Sequence, residues 1–437
     1  MMNDLQITPL TKTIEKVIDY RGKTPKKMGG DWSSYGYRAL SALNVKSTGL
    51  ENLDQVKFLN ENLYIKWMKD EVKRGDILLT SEAPAGQVLY WDSDEKIVLS
   101  QRLFALRIND KYDAKYITYY IRSNTGQKAI FDKMSGSTVS GISAKMFDLI
   151  PVITRSLPVQ QKISKVLYTL DSTIELNNKI NSELEAMAKT LYDYWFVQFD
   201  FPDENGKPYK SSGGKMVWSK ELKREIPEEW EVFSLSELLK ESKNGDWGKD
   251  TANKESIKSY CIRGADINGL NGTDSFDPPI RYIVNSHSDR ILKADDLIIE
   301  ISGGSPTQST GRMAHISDNV LQRLNEKVVC SNFCKAISIK SNKLSYLICR
   351  YWDHLYKSNI FFNYEGKTSG IKNLLFNQVI KDVKIALPKD EKLIDTSYKF
   401  EESVDSQKQN NLAQNQKLSQ LRDWLLPMLM NGQVRVN

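Results

Sequence analysis

The sequence predicts a mixed α/β protein, built as a tandem, pseudo-twofold repeat of two globular α/β modules joined by two long antiparallel coiled-coil helices. Three observations predict this fold. The stretch from Leu157 to Phe196 places apolar residues at a 3.5-residue period, which is the seam of a coiled coil. The same seam pattern recurs 230 residues later. Similar strand-like and turn-like stretches precede each helix, so the whole unit is repeated.

The repeat sets the predicted domain boundaries within the 437 residues, a length that suits two to three domains. These domains are a first module at 1–156, a central long helix at 157–200, a connector at 201–229, a second module at 230–386 and a C-terminal long helix at 387–437. Pro158 and Pro388 are expected in the first turns of the two helices, where a missing N–H costs nothing. Pro202 and Pro427 are expected where the helices end.

One helix cannot bury its own seam, so the two helices are expected to pair. If their polar layers face each other, Asn177 meets Asn411, and buried amides fix the register. A locally splayed, hydrated seam is an open alternative, and so is pairing between two copies of the chain. The predicted pairing residues are Leu167, Leu170, Ile174, Asn177, Asn181, Leu184 and Leu191 in the first helix, and Phe400, Val404, Asn411, Leu418 and Leu421 in the second.

The modules repeat as well as the helices. IVLSQRLFALRI, from Ile97 to Ile108, parallels VVCSNFCKAISI, from Val328 to Ile339, and both have the composition of strands. GDILLTSEAPAGQVLYW, from Gly75 to Trp91, likewise parallels DLIIEISGGSPTQSTGRMAHI, from Asp296 to Ile316. The connector is rich in Gly, Ser, Pro and Lys, which is typical of exposed chain.

Composition excludes several classes of protein. With 40% hydrophobic and 27% charged residues the chain is neither disordered nor fibrous. It shows no secretory leader and no apolar run long enough for a membrane span, so we expect a cytoplasmic protein. The net charge of +6 fits a polyanionic partner without requiring one. The four cysteines are not spaced like zinc ligands, so we expect buried, reduced thiols and no metal site.

Basic, glycine-containing turns stand at equivalent positions in the two modules, and such groups contact phosphates and base edges of DNA. Any one of these loops could equally be a solvated turn, but their recurrence favours binding. The candidate DNA-binding residues are Arg21, Lys23, Lys26 and Lys27 in the first module, and Lys243, Trp247, Lys249, Ser305, Thr307, Gln308, Arg312 and Lys367 in the second.

The sequence assigns no catalytic residue. Asp277-Pro278-Pro279-Ile280 is similar to the Asp-Pro-Pro-Tyr of amino methyltransferases, but the stacking aromatic is missing and no glycine-rich cofactor loop follows a first strand. The stretch from Ser302 to Arg312 lacks the Gly-Lys-Ser/Thr that ends a phosphate-binding P-loop.

Over nearly its full length the chain resembles the specificity subunit of Type I restriction-modification enzymes. The resemblance rests on SGISAKMFDLIPV (Ser140 to Val152), the connector FPDENGKPYKSSGGKMV, IPEEW (Ile226 to Trp230) and ISGGSPTQSTGR. It implies two α/β target recognition domains, each reading one half of a bipartite asymmetric site in double-stranded DNA, with the helices acting as a ruler for the spacer between the half-sites.

The resemblance also implies that the chain has no chemistry and no cofactor of its own. Two modification subunits would methylate adenine N6 with S-adenosylmethionine, and restriction subunits would cut DNA using ATP and Mg. From another class, a coiled-coil scaffold that assembles partners without reading DNA remains the alternative.

Overall fold

The computed structural model describes residues 5–134, 140–272, 276–305, 307–368, 371–434 and 436, with only the backbone of Lys367 and Thr368. The chain divides into two compact units. Unit 1 comprises residues 1–174 and 417–437, and unit 2 comprises residues 175–416. Each unit contains one module and a segment of each long helix.

Unit 1 is a mixed α/β module. Its strands are β1 (Gln6–Pro9), β2 (Ile14–Asp19), β3 (Tyr37–Leu40), β4 (Val45–Lys46), β5 (Gly49–Leu50), β6 (Lys57–Leu59), β7 (Ile77–Thr80), β8 (Val88–Tyr90), β9 (Val98–Leu99), β10 (Leu103–Ile108) and β11 (Pro151–Thr154). Its helices are α1 (Leu10–Thr13), α2 (Glu61–Trp67), α3 (Ala114–Arg122), α4 (Asn124–Phe131) and the start of the long helix α5 (Leu157–Tyr192). The main sheet is antiparallel in the order β2-β10-β7-β8, and a second sheet, β6-β3-β9, contains the parallel pair β3 and β9.

Unit 2 repeats this arrangement. Its strands are β12 (Met216–Ser219), β13 (Arg224–Pro227), β14 (Trp230–Ser234), β15 (Leu239–Asn244), β16 (Ser256–Ile262), β17 (Ile280–Val284), β18 (Asp296–Glu300), β19 (Ser302–Gly303), β20 (Met313–Ile316), β21 (Lys327–Cys330), β22 (Cys334–Ile339), β23 (Glu365–Thr368), β24 (Ile371–Leu374) and β25 (Lys384–Pro388). Its helices are α6 (Leu235–Leu238), α7 (Ile267–Leu270), α8 (Asp318–Leu324), α9 (Ser345–Lys357), α10 (Phe376–Asp382) and α11 (Glu391–Asn431), the last of which ends in unit 1.

The strand orders confirm the predicted repeat. The sheet β15-β22-β18-β20 has the order of the main sheet of unit 1, and β17-β16-β21 again contains one parallel pair, β16 and β21. An antiparallel pair joins the first and last strand of each module, β1 with β11 and β14 with β25. Unit 2 adds the small sheet β19-β24-β23 and, within the predicted connector, the hairpin β12-β13.

The central strands of both main sheets are buried on both faces. In β7 and β10, Ile77 and Phe104 contribute to one hydrophobic cluster, and Leu78 and Ala105 contribute to another. Successive side chains of a strand point to opposite faces, so both faces need apolar residues. This explains why ILLT and LFALRI are nearly continuous apolar runs instead of alternating ones.

The two long helices run antiparallel within each unit. In unit 1, Ile163 and Leu167 of α5 share a core with Leu429 and Met430 of α11, whereas further along α5 the carboxylate of Asp171 accepts a hydrogen bond of 2.8 Å from Arg422. In unit 2, Asn181 pairs with Asn411 and Asn177 with Asn415, both at 2.8 Å. Residue numbers rise along one helix as they fall along the other, and the pairing lies within the chain.

The register differs from the prediction by about one helical turn. The expected contact between Asn177 and Asn411 is wrong, because Asn181 bonds to Asn411 and Asn177 bonds to Gln414 and Asn415. Asn177 and Asn181 are both buried and hydrogen-bonded. They therefore mark the register instead of lining a splayed, hydrated seam.

Along α11, alternate positions of the predicted seam are displaced by one residue, while Val404 and Asn411 are buried where the seam was predicted. Leu421 is 43% exposed, so its predicted role in pairing is wrong, while its neighbour Arg422 forms an ion pair with α5. Glu401, Lys408 and Asn415 are likewise buried one residue after seam positions that the repeated 3.5-residue period predicted. Of the other predicted pairing residues, some are buried (Leu167, Asn177, Asn181, Val404, Asn411) and some half-buried (Leu170, Ile174, Leu184, Leu191, Phe400, Leu418).

Two of the predicted proline positions are wrong. Pro388 ends strand β25 opposite Trp230, and α11 begins only at Glu391. Pro427 lies inside α11, which continues to Asn431 because its last turn packs Leu429 and Met430 into the core of unit 1. Pro158 does lie in the first turn of α5, as expected.

Candidate nucleic-acid interface

The basic turn of unit 1 follows β2, and its first cations are held by neighbouring groups. Arg21 donates two hydrogen bonds to the carboxylate of Asp19, at 2.9 and 2.8 Å, and lies 3.9 Å from the centre of the Phe104 ring. Burial alone would raise the pKa of Asp19, but the hydrogen bonds from Arg21 lower it below its usual value. Lys23 donates to the carbonyl of Trp67 at 3.1 Å. Arg21 and Lys23 are half-buried.

Lys26 and Lys27 lie in the same turn and are exposed. Beside it is a cavity of about 460 Å³ whose lining includes amide and hydroxyl groups, among them Ser41, Asn44, Ser100 and Gln101. Amides and hydroxyls are the groups that hydrogen-bond to base edges.

Unit 2 has a larger groove, of about 1140 Å³, that brings together predicted and unpredicted residues. Of the candidates, Trp247, Ser305 and Arg312 line it; side chains that the sequence reasoning missed are Arg263, Phe333, Phe362, Ile371 and Lys372. Phe333 is 55% exposed and Ile371 46% exposed, so the groove presents apolar tips to solvent.

A buried carboxylate forms part of the wall of this groove. Arg312 donates to Glu300 through Nε at 2.9 Å and through Nη2 at 2.7 Å, and these bonds raise the pKa of Arg312. Gly264 and Gly303 leave room for the carboxylate, since a Cβ on either would lie 2.6 Å from Oε1 of Glu300. The guanidinium of Arg312 is therefore committed to a structural pair.

The other cations of the groove are paired too. Lys372 lies 2.8 Å from the carboxylate of Glu365, and Arg263 lies 2.8 Å from that of Asp266. With its positive charges neutralised, the groove is better suited to contacts with bases than to strong binding of phosphate.

Trp247 is held in place at the rim of the groove. Its backbone carbonyl accepts a hydrogen bond of 2.9 Å from Arg281, and the guanidinium of Arg281 lies 4.4 Å from the centre of the Trp247 ring. The turn that carries Trp247 runs against the turn between β21 and β22. Gly245 is required there because a Cβ would lie 1.9 Å from the carbonyl oxygen of Ser331.

The other five predicted contacts have different outcomes. Lys243 is wrong as a DNA contact, because its side chain is only 11% exposed and its ammonium lies 3.4 Å from Glu241 and 3.8 Å from Asp296. Lys249, Thr307 and Gln308 are exposed. The side chain of Lys367 lies outside the described residues, so its role stays a prediction.

The cysteines are free thiols, as predicted. Cys261, Cys330 and Cys334 are buried and Cys349 is half-buried. Burial raises the pKa of Cys261 to about 12, which keeps the thiol uncharged. Among the residues that the structure describes, no three His, Cys, Asp or Glu side chains are grouped to hold a metal ion, and no helix is long and apolar enough to cross a membrane.

The comparisons with known proteins identify the family. Residues 11–186 and 227–415 match the family described as the Type I restriction modification DNA specificity domain. Because these segments make up most of the chain, the chain belongs to this family, whose members supply DNA specificity to a restriction-modification system. The two matched segments fall on the two modules, and nothing in the comparisons favours the scaffold alternative.

Individual relatives agree. The Type I restriction enzyme MjaIX specificity subunit of Methanocaldococcus jannaschii is 26% identical over 378 residues, which cover 83% of this chain and 78% of that protein. The HindI specificity subunit of Haemophilus influenzae is 29% identical over 137 residues, 30% of each chain. The crystal structure of a Type-I restriction-modification system S subunit from M. genitalium matches with a TM-score of 0.61 at 14% identity, covering 98% of this chain and 97% of that chain, and thus shares its fold.

Proposed function

We propose that this chain is the DNA-reading subunit of a Type I restriction-modification complex, in which each module recognises one half of a bipartite asymmetric site in double-stranded DNA. The observation that carries the proposal is the duplicated match to a DNA specificity domain, once on each module. The repeated strand order supports it, because two modules with one scaffold and different loops can read two different half-sites.

We further propose that the chemistry resides on partner subunits. Two modification subunits would transfer a methyl group from S-adenosylmethionine to adenine N6, and restriction subunits would require ATP and Mg. In unit 2, Leu176, Ile180 and Met187 of α5 leave between 37% and 56% of their surface in solvent. An exposed apolar helix face of this kind suits a protein partner.

A binding experiment with the assembled complex tests the proposal. The target is first read from the methylated positions in the host genome, with and without this gene. The chain, purified with its modification subunits, should then protect both half-sites of that target in a footprint. Substitution of the bases in the spacer should not weaken binding. Uniform binding to any duplex, lost at moderate salt, would favour the scaffold instead. Methyl transfer by this chain alone would contradict the assignment of chemistry to the partners.

A further inference from the structure

A turn held by the same three backbone hydrogen bonds occurs in both modules. In unit 1 the turn lies between β9 and β10. The N–H of Ser100 donates to the carbonyl of Leu40 at 2.8 Å, and the N–H of Ser81 donates to the carbonyl of Arg102 at 2.9 Å. The carbonyl of Ser81 in turn accepts from Ile142 at 2.8 Å. The backbone of Arg102 is thus fixed to the end of β7.

Unit 2 contains the same three hydrogen bonds in the turn between β21 and β22. Ser331 donates to Ile262 at 2.8 Å, Ile301 donates to the carbonyl of Phe333 at 2.9 Å, and the carbonyl of Ile301 accepts from Leu374 at 2.9 Å. Because each bond has its counterpart, Phe333 of unit 2 occupies the position of Arg102 in unit 1.

Both side chains at this position are accessible. Arg102 keeps 47% of its side chain in solvent, and Phe333 is 55% exposed. Each turn also borders the recess of its module, since Ser100 and Gln101 line the unit 1 cavity and Phe333 lines the unit 2 groove. Equivalent positions of the two turns therefore carry a cation in one module and an apolar ring in the other, with a left-handed backbone (φ 64°) at Arg102 and not at Phe333.

We propose that Arg102 and Phe333 are equivalent specificity-determining residues: Arg102 reads a guanine in one half-site, and Phe333 reads a thymine methyl group in the other. The inference rests on the proposed function, because DNA is the partner that both turns are taken to face. Arginine matches the O6 and N7 acceptors of guanine, and the thymine methyl is the apolar group that the major groove of DNA presents.

The local contacts favour base contacts at both positions. Arg102 makes an ion pair of 3.0 Å with Glu82, but the two side chains are 47% and 36% exposed, and such a pair contributes little and exchanges readily for another acceptor. Phe333 lies in the groove where Arg312, Lys372 and Arg263 are already paired with carboxylates. An exposed ring beside neutralised charges is suited to covering an apolar group rather than a phosphate.

The test uses the complex reconstituted with its modification subunits and duplexes carrying the methylation target. Arg102→Ala and Phe333→Ala are compared with two matched controls. Arg74→Ala removes an exposed arginine that is ion-paired at the opposite end of β7, and Phe131→Ala removes a ring of similar exposure on α4. Equal melting temperatures of the four variants and the parent chain establish that the fold is intact.

Two base analogues probe the contacts atom by atom. Replacing thymine by deoxyuridine removes only the methyl group and should weaken binding of the parent complex about fourfold at one position of one half-site. The same replacement should not weaken binding by the Phe333→Ala complex any further. Replacing guanine by 7-deazaguanine in the other half-site should weaken binding at least about fivefold, with no further loss in Arg102→Ala.

Other outcomes overturn the inference. One is a loss of binding from the base analogue that simply adds to the loss from the substitution. Another is a half-site in which every thymine can be replaced by deoxyuridine without loss of binding. A third is a binding defect of Arg102→Ala that is equal on all duplexes and lowers the salt dependence. Failure of the proposed function looks different, because the parent complex would then bind the target and a scrambled duplex equally.

Discussion

The charge cluster between the long helices in unit 2 allows a quantitative test of the helix pairing. Glu185 of α5 accepts hydrogen bonds from Arg350 of α9 and, at 2.6 Å, from Lys408 of α11, while Arg350 also holds Glu401 at 2.9 Å. Burial alone would raise the pKa of Glu185, but Arg350 and Lys408 lower it from 4.5 to about 2. Glu185→Gln keeps the shape of the side chain and removes its charge.

The expected loss of stability in Glu185→Gln follows from the pKa of Glu185 and from the exposure of Glu185 and Lys408. A pKa lowered from 4.5 to about 2 corresponds to about 3 kcal/mol of stability. The Glu185 side chain is 34% exposed, so solvent screening reduces this to about 2 kcal/mol. Lys408, whose side chain is only 10% exposed, would lose the carboxylate of Glu185 as its partner. For a unit of this size, about 2 kcal/mol lowers the melting temperature by about 4–8 °C.

Scanning calorimetry of the whole chain measures this loss, and hydrogen exchange of the amides in α9 assigns the transition to unit 2. Glu183→Gln, at an exposed position of the same helix, is the matched control and should leave the melting temperature unchanged. Lys408→Met added to Glu185→Gln should recover part of the loss, because it removes the unpaired buried charge.

The same variant predicts a pH dependence. The folded-state pKa of Glu185 is lowered, so the stabilisation is complete above about pH 4.5 and is lost as the pH falls toward about 2. The difference in melting temperature between the parent chain and Glu185→Gln should therefore shrink over this range. A difference in melting temperature that does not change with pH would refute the reasoning. So would a loss in melting temperature equal to that of Glu183→Gln.

Three further changes have defined outcomes. Asp171→Asn removes the charge and one of the two acceptor oxygens that two arginines and a tyrosine share in unit 1, and should lower the stability of that unit by about 2 kcal/mol in denaturant titrations. Asn177→Ala leaves the buried amide of Asn415 with one partner fewer and should cost about 1–2 kcal/mol by the same measurement. Gly245→Ala forces a Cβ against the carbonyl of Ser331, so it should reduce both the melting temperature and target binding.

The sequence allowed the repeated architecture to be predicted because apolar periodicity reflects burial directly. The runs ILLT and VVC, for example, are buried on both faces in their sheets, and the seam of α5 is buried at Ile163, Leu167 and Ala188 as the 3.5-residue period requires. The order of the connector was not expected, because its composition is typical of exposed chain. Within it the rings of Phe201 and Tyr209 stack with centroids 4.8 Å apart, and β12 pairs with β13.

The seam of α11 could not be predicted in the same way. Apolarity favoured Leu421 as a buried position, yet Arg422 is the residue that faces α5, because its charge is compensated by Asp171. Compensation by a partner on another helix has no periodic signal in a single sequence. The same limit applies to Lys243, whose acidic neighbour Asp296 lies on another strand of the sheet.

The candidate interface was predictable in part. The turn residues near Trp247 and the glycine-rich stretch ending at Arg312 were found from residue type and from their recurrence. Phe333 was missed because an exposed ring in a turn resembles any core aromatic until the fold is known. Aligning the two repeats places Phe333 opposite Arg102, and that difference at an otherwise similar position is the signal that could have revealed it.

The charges buried between the helices also determine which helix can pair with α11. Lys408 and Arg422 of α11 find their acceptors at Glu185 and Asp171, fourteen residues apart on α5. Loss of either acceptor would leave a buried ammonium or guanidinium unpaired, which costs about 3–5 kcal/mol. The seam thus requires a partner helix with carboxylates at this spacing, a selectivity that a purely leucine-lined seam would lack.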